Sequence, residues 1–140
     1  MLSLEEDKFF ERQIVKLAKD RIIGVYLEGI ILLRLRAQEL SGYDLVKVVN
    51  ADFKVLISPG TMYATIYSLE RQGFIESGIS GRKKVYRLSS TGKAGLQIIS
   101  ESTELRNLLF RITKEFFPEK YVQFLMKLAM ETIKKPLKVS

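Results

Sequence analysis

A helix capped by Ser58 and Pro59 and stopped by Gly73, a basic hairpin directly after it, and amphipathic stretches on both sides predict a mostly α (α+β) fold. That order is a winged helix-turn-helix with a two-stranded wing, here with extra N- and C-terminal dimerisation helices. The 140 residues, 46% of them hydrophobic, are one domain's worth of chain and can bury a modest core. An excess of 23 Lys and Arg over 16 Asp and Glu gives a net charge of +7, which suits a polyanionic partner, although a solvated basic surface accounts for the total equally well. Distribution says more. Residues 58–95 carry six basic and two acidic side chains and residues 105–140 carry eight and three, whereas residues 1–20 carry four and five.

Along residues 4–20, Phe10, Ile14, Leu17 and Ala18 form one helical stripe with charges elsewhere. A second helix is expected over residues 24–36, where Val25, Leu27, Ile30, Ile31, Leu33 and Leu35 give an apolar surface broad enough to be buried on more than one side. Ser41 and Asp44 have capping-box spacing and start a third helix that runs to about Phe53, with Leu45, Val48 and Val49 facing the core. Simple capping explains this start. The free amides there, beside Ser41 and Tyr43, also suit a DNA phosphate.

Ser58 followed by Pro59 is the clearest helix start in the chain, and Met62, Ile66 and Leu69 fall together as its core stripe. Gly60 and Ala64 lie roughly opposite with Arg71, flanked by Thr61, Thr65 and Ser68 on one side and by Tyr63 and Tyr67 on the other. Short hydroxyl and methyl groups let a helix approach phosphates and base edges closely, as insertion in a major groove requires. Taken alone, they are more often the incidental surface of a packed helix, with Tyr63 and Tyr67 as half-buried packing groups. The next segment shifts that balance: residues 74–79 and 84–88 read as strands joined through Gly78, Ser80 and Gly81, with Tyr86 and Leu88 on one face and Arg82, Lys83 and Lys84 at the tip. Such a wing lies along the sugar-phosphate backbone; the bland alternative is a charged turn that discourages edge-to-edge aggregation.

Beyond Ser90, Leu96, Ile99, Leu105, Leu108, Leu109, Ile112 and Phe116 recur at helical spacing. After Pro118, which should break or bend the run, come Tyr121, Phe124, Leu125 and Leu128. These stripes exceed what a small winged helix covers, so the expectation is a homodimer formed by Phe10, Ile14 and Leu17 with Leu105, Leu108, Leu109, Ile112, Phe116, Tyr121, Phe124, Leu125 and Leu128. Packing within one chain is the alternative. The expected division is 1–23 for an N-terminal dimerisation helix, 24–89 for the DNA-binding domain and 90–140 for the C-terminal dimerisation helices.

Zero Cys and zero His remove thiolate nucleophiles, disulfides, imidazole bases and nearly every zinc or haem site. The carboxylates Glu5, Glu6, Asp7, Glu101 and Glu104 sit where solvated charge is the default, so no catalytic residues, no metal and no cofactor are expected. Residues 1–10 are acidic where a secretory signal is basic. Residues 22–35, interrupted by Glu28 and Arg34, are shorter than the about 20 residues that span a bilayer. No membrane association and a cytoplasmic location are the expectation.

Four motifs in order, Ser41-Gly42-Tyr43-Asp44-Leu45, Ile57-Ser58-Pro59-Gly60-Thr61-Met62-Tyr63, Leu69-Glu70-Arg71-Gln72-Gly73-Phe74-Ile75 and Tyr86-Arg87-Leu88-Ser89-Ser90-Thr91-Gly92, make residues 27–95 resemble the PadR family of transcription regulators. The resemblance implies a dimer that binds operator DNA, usually as a repressor, with residues 58–73 as recognition helix and the turn at Arg82 as wing. It also implies that Ser58, Thr61 and Tyr63 lie at the DNA surface. Relatives that respond to phenolic or other aromatic compounds imply a small aromatic effector, near Phe9, Phe10, Tyr121 and Phe124, although aromatics in such helices are more often core. The DNA-contact set expected overall is Ser41, Tyr43, Ser58, Gly60, Thr61, Tyr63, Ala64, Thr65, Tyr67, Ser68, Arg82, Lys83 and Lys84. The rival reading is a winged-helix protein-interaction module in which Tyr63 and Tyr67 bind a protein.

Overall fold

Ser3 accepts a hydrogen bond from the Glu6 amide and Glu6 accepts one from the Ser3 amide, a capping box that opens helix α1, Leu4–Ala37. The computed structural model describes residues 3–117 and 119–133. The two helices expected over residues 4–20 and 24–36 are one continuous helix of 34 residues. A single helical glycine costs about 1 kcal/mol, and Gly24 meets no proline or left-handed residue that would stop the chain. Ile23 and Leu27, on either side of it, both pack on the core.

The C-terminal half of α1 buries Leu27, Ile30, Ile31, Leu32 and Leu35. Its apolar surface is not buried all round, because Val25 is 79% and Leu33 38% exposed. At about 100° per residue each lies roughly opposite a core residue two positions away, Leu27 and Ile31. The N-terminal half leaves Phe10, Ile14 and Leu17 about half exposed.

Strand β1, Leu40–Ser41, leads into α2, Gly42–Phe53, through the Ser41–Asp44 capping box. Leu45 and Val49 are fully buried and Val48 half-buried. Lys54 ends α2 in the left-handed conformation, at φ 52°. Asn50 then ties down the loop: its side-chain amide donates to the Ile57 carbonyl at 3.2 Å and accepts from the Ile57 amide at 2.8 Å.

Helix α3, Pro59–Arg71, follows, capped by Ser58 accepting from the Thr61 amide at 3.1 Å. Its C-terminus is a Schellman motif, with Gly73 at φ 81° donating to Glu70 and Phe74 donating to Leu69. Met62, Ile66 and Leu69 are at most 1% exposed.

Strands β2, Ile75–Ser80, and β3, Lys83–Leu88, pair from Ile75↔Leu88 to Ser80↔Lys83. Gly78 and Ser80, expected in the turn, belong to β2, and the turn is Gly81-Arg82 alone. Positive φ at Gly81 and not at Arg82 is the II′ pattern that matches strand twist. The sheet has three strands in the order β1-β3-β2, because Leu40 and Ser41 pair with Tyr86 and Val85. That makes β3 central and buries Val85 along with Tyr86 and Leu88.

Helix α4, Ser90–Glu101, is tied to the end of α3 through Ser89, whose hydroxyl donates to the Gly73 carbonyl at 2.5 Å and accepts from the Gly92 amide at 3.0 Å. The chain divides into two compact units, Met1–Leu96 and Gln97–Ser140. In the second, Ser102 caps α5, Thr103–Phe116, and interrupts what the sequence stripe suggested was a single run from residue 90. Helix α6, Glu119–Ile133, contacts α5. Leu105, Leu108, Leu109, Ile112 and Phe116 are all at least 40% exposed. Pro118 and the side chains of Tyr121 and Leu125 lie outside the described residues.

Gly92 sits so close to α3's end that a Cβ there would collide with the Phe74 carbonyl, its carbon 3.0 Å away, whereas at Gly95 the nearest atom is 4.0 Å off. Gly92→Ala is expected to destabilise the fold by about 1–3 kcal/mol through overpacking. Gly95→Ala is expected to be neutral or to stabilise by about 0.5–1 kcal/mol. Urea midpoints at unchanged slope test both, and equal midpoints for the two variants would disprove the close approach at Gly92.

Candidate nucleic-acid interface

With one face of α3 fixed in the core, the opposite face is set by rotation alone, and Gly60, Thr61 and Ala64 are exposed there, with Thr65 and Ser68 half-buried at the margin. The Ser58 hydroxyl donates to Thr61 Oγ1 at 2.9 Å, and the Thr65 hydroxyl donates back to the Thr61 carbonyl at 2.8 Å. These bonds tie Ser58, Thr61 and Thr65 together along the first turns of the helix.

Tyr63 and Tyr67 flank this face with ring centroids 6.0 Å apart. Tyr63 lies over the first residue of α2. A Cβ at Gly42 would overlap the Tyr63 ring and stand 2.7 Å from its hydroxyl, so the ring occupies space that only glycine leaves open. Sequence reading passed over Gly42 and Tyr86 as site residues, though the close approach of a neighbouring group is a known reason for glycine.

A cleft of about 290 Å³ gathers Ser41, Gly42, Tyr43, Tyr63, Tyr67, Lys83, Lys84 and Tyr86. It joins the start of α2, the tyrosine flank of α3 and the basic end of β3. The β1–β3 pairing places these together, since the strand that carries Lys83 and Lys84 is hydrogen-bonded to the residues that begin α2. Lys84 Nζ stands 5.6 Å from the Tyr86 ring centre and Lys47 Nζ 5.2 Å from that of Tyr43. Arg82 is exposed at the hairpin turn. Of the expected contact residues, Ser41, Tyr43, Tyr63, Tyr67, Lys83 and Lys84 share the cleft. Ser58, Gly60, Thr61, Ala64, Thr65 and Ser68 do not line it and belong to the adjoining surface of α3.

Ser41 is buried, and its hydroxyl accepts from the Asp44 amide at 3.1 Å. Hydrogen bonds from the Ser41 side chain and then its backbone hold the Asp44 carboxyl below the usual value, and Lys83 and Lys47 act in the same direction. A depressed carboxylate pKa stabilises the fold above the unfolded-state pKa, and that contribution fades as pH falls through the folded value. At neutral pH the α2 terminus is therefore already occupied by its own anion, and the cations around it are Lys47 and Lys83. Burial raises the Tyr86 phenol, with Lys84 opposing.

Phe9 and Phe10 line an open hollow on α1 with Glu5, Glu6 and Gln13. Phe124, exposed on α6, belongs to the other unit, and the Tyr121 side chain lies outside the described residues. Among the described residues no helix is long and apolar enough to cross a membrane, and no group of three carboxylates could hold a metal ion.

The profile of the transcriptional regulator PadR-like family matches residues 31–98. A transcriptional regulator from Clostridium thermocellum is 27% identical with a TM-score of 0.54, over 65% of this chain and 92% of that one. A PadR-like transcriptional regulator from Bacillus cereus is 26% identical with a TM-score of 0.54, over 64% of this chain and 96% of that one. A PadR family regulator from Eggerthella lenta, at 24% identity and a TM-score of 0.55, shares the fold over 81% of this chain and 97% of its own.

Because the overlapping atoms belong to the far end of the Tyr63 side chain, Gly42→Ala is expected to swing the ring off α2 at little cost in stability. The check is the disappearance of nuclear Overhauser effects between the Tyr63 ring and residue 42, with the thermal midpoint nearly unmoved. A large fall in the midpoint would show instead that the ring is an immovable part of the core.

Proposed function

This chain belongs to the PadR-like family of transcriptional regulators, and on that premise we propose that it is a repressor that binds double-stranded DNA sequence-specifically, as a homodimer on a pseudo-palindromic operator. The observation that carries the reading is the bare Gly60, Thr61 and Ala64 face of α3 beside a cleft edged by Lys83 and Lys84.

In this reading α3 enters the major groove with Gly60 and Ala64 allowing close approach, while Thr61, Thr65 and Ser68 meet base edges or phosphates and Ser58 shapes the first turn. Tyr63, Tyr67 and Tyr43 line the groove wall. Arg82, Lys83 and Lys84 follow the phosphate backbone and supply salt-sensitive, sequence-independent attraction. Ser41 contributes by capping α2, since Asp44 already fills the anion position at that helix start. Residues 24–89 carry these contacts; residues 1–23 and 90–140 supply the dimer. Both compact units leave large apolar side chains uncovered, Phe10, Ile14 and Leu17 in one and Leu105, Leu108, Leu109, Ile112 and Phe116 in the other, and a second copy would cover them. Two recognition helices about 34 Å apart then read successive major grooves. An aromatic effector would act by biasing that spacing.

Selecting bound fragments from random duplex DNA identifies the operator and tests the reading at once. Thr61→Ala and Tyr63→Ala are each expected to cost about 1–3 kcal/mol on the selected site and little on random duplex. Equal weakening on both removes the recognition role of α3. Lys83→Ala is expected to lower the slope of log affinity against log salt by about 0.9 for each phosphate it ceases to neutralise. A chain that shifts no duplex at either of two salt concentrations is a protein-interaction module.

A further inference from the structure

All four basic residues among the first twenty, Lys8, Arg12, Lys16 and Lys19, are exposed and recur on α1 at intervals of four, four and three. At about 100° per residue they share a face about 80° wide, and the apolar stripe of Phe10, Ile14 and Leu17 is centred about 170° away. Like charges at this spacing repel and weaken a helix. None of the ion pairs found among the described residues, Arg34–Asp52, Arg87–Glu39 and Arg87–Glu76, relieves the column.

The column faces the loop that leads into α3. Arg12, Lys16 and Lys19 line a groove of about 450 Å³ with Lys54, Val55 and Leu56, bordered by Glu11 and Asp20. Lys19 Nζ donates to the Lys54 carbonyl at 3.0 Å, pinning this part of α1 to the loop. Lys54 is four residues before the α3 cap, within about 14 Å of chain.

We propose that this column, with Lys54, is a second DNA-contact surface that grips the phosphate backbone of duplex flanking the operator. The inference rests on the DNA-binding reading above. Three observations favour nucleic acid as the occupant. The surplus charge is positive, four cations around two carboxylates. The apolar stripe that a second copy would cover lies on the other side of the helix. The groove adjoins the segment that leads into the proposed recognition helix, which puts its cations near any duplex held by α3. From Lys8 to Lys19 the helix rises about 17 Å, the length of about five base pairs. The column also lies outside residues 31–98, so it is a property of this chain rather than of the matched family region.

The test uses the full chain, its Arg12→Gln/Lys16→Gln variant, and the selected operator with either no flank or ten mixed base pairs on each side. The wild type is expected to bind the flanked duplex with the steeper salt dependence. The variant is expected to show a slope shallower by about 0.9 per phosphate released on the flanked duplex and to match the wild type on the unflanked one. Unaltered helicity by circular dichroism shows that α1 is intact. The inference is overturned if the variant matches wild type on the flanked duplex, if affinity falls equally on both duplexes, or if the dimer dissociates in sedimentation while the slope holds. Failure of the wild type to bind either duplex is a different result, which overturns the DNA-binding reading itself.

Discussion

Burial of Met62, Ile66 and Leu69 against α1 and α2 is the constraint on which the rest of the proposed interface depends. Full burial of each such side chain contributes about 1.5–3 kcal/mol, and all three are at most 1% exposed. A helix held by one stripe keeps one rotation about its axis. Rotating α3 to hide Thr61 or Ala64 would bring Met62 or Ile66 into water. The bare face is thus a consequence of the core. Its ends are fixed as firmly: Asn50 clamps Ile57 just before the Ser58 cap, and the Gly73 turn closes the last carbonyls.

The wing is placed by the sheet rather than by its own turn. A two-residue hairpin sets the register of β2 on β3, but only the short β1–β3 pairing brings Lys83 and Lys84 beside α2 and the tyrosines of α3. Arg87 reinforces this order from the surface, reaching Glu76 on β2 at 3.3 Å and Glu39, just before β1, at 4.0 Å. Half-exposed ion pairs of this kind are worth at most about 1 kcal/mol, so the ladder and the buried Tyr86 do most of the holding.

Much of this was legible because it is local chemistry. Ser41 with Asp44, Ser58 with Pro59, and Gly73 are caps whose partners lie within a few residues, and each forms as its spacing implies. The α3 core stripe follows from helical periodicity. What escaped depended on distant chain. A two-residue strand such as Leu40–Ser41 has no periodicity to read, the need for glycine at position 42 comes from a tyrosine 21 residues away, and the Asn50 clamp is an ordinary polar residue until Ile57 is beside it. The break expected near Gly24 failed for the opposite reason: a local weakness was read without the core contacts of Ile23 and Leu27 that override it. Gly78 and Ser80 misled similarly, since turn-type residues are tolerated in a strand held by a central neighbour.

Continuity of α1 has a mechanical consequence that two separate helices would lack. A helix of 34 residues is about 51 Å long, and its C-terminal half is locked into the core by Leu27, Ile31 and Leu35. The N-terminal half therefore inherits a fixed azimuth, with its cationic column turned to the α2–α3 loop and its apolar stripe turned away. A hinge at Gly24 would let either face seek any partner. Without one, whatever covers Phe10, Ile14 and Leu17 meets a helix whose other half packs on α3 through the core, with no break between the two halves to absorb a change at that apolar contact.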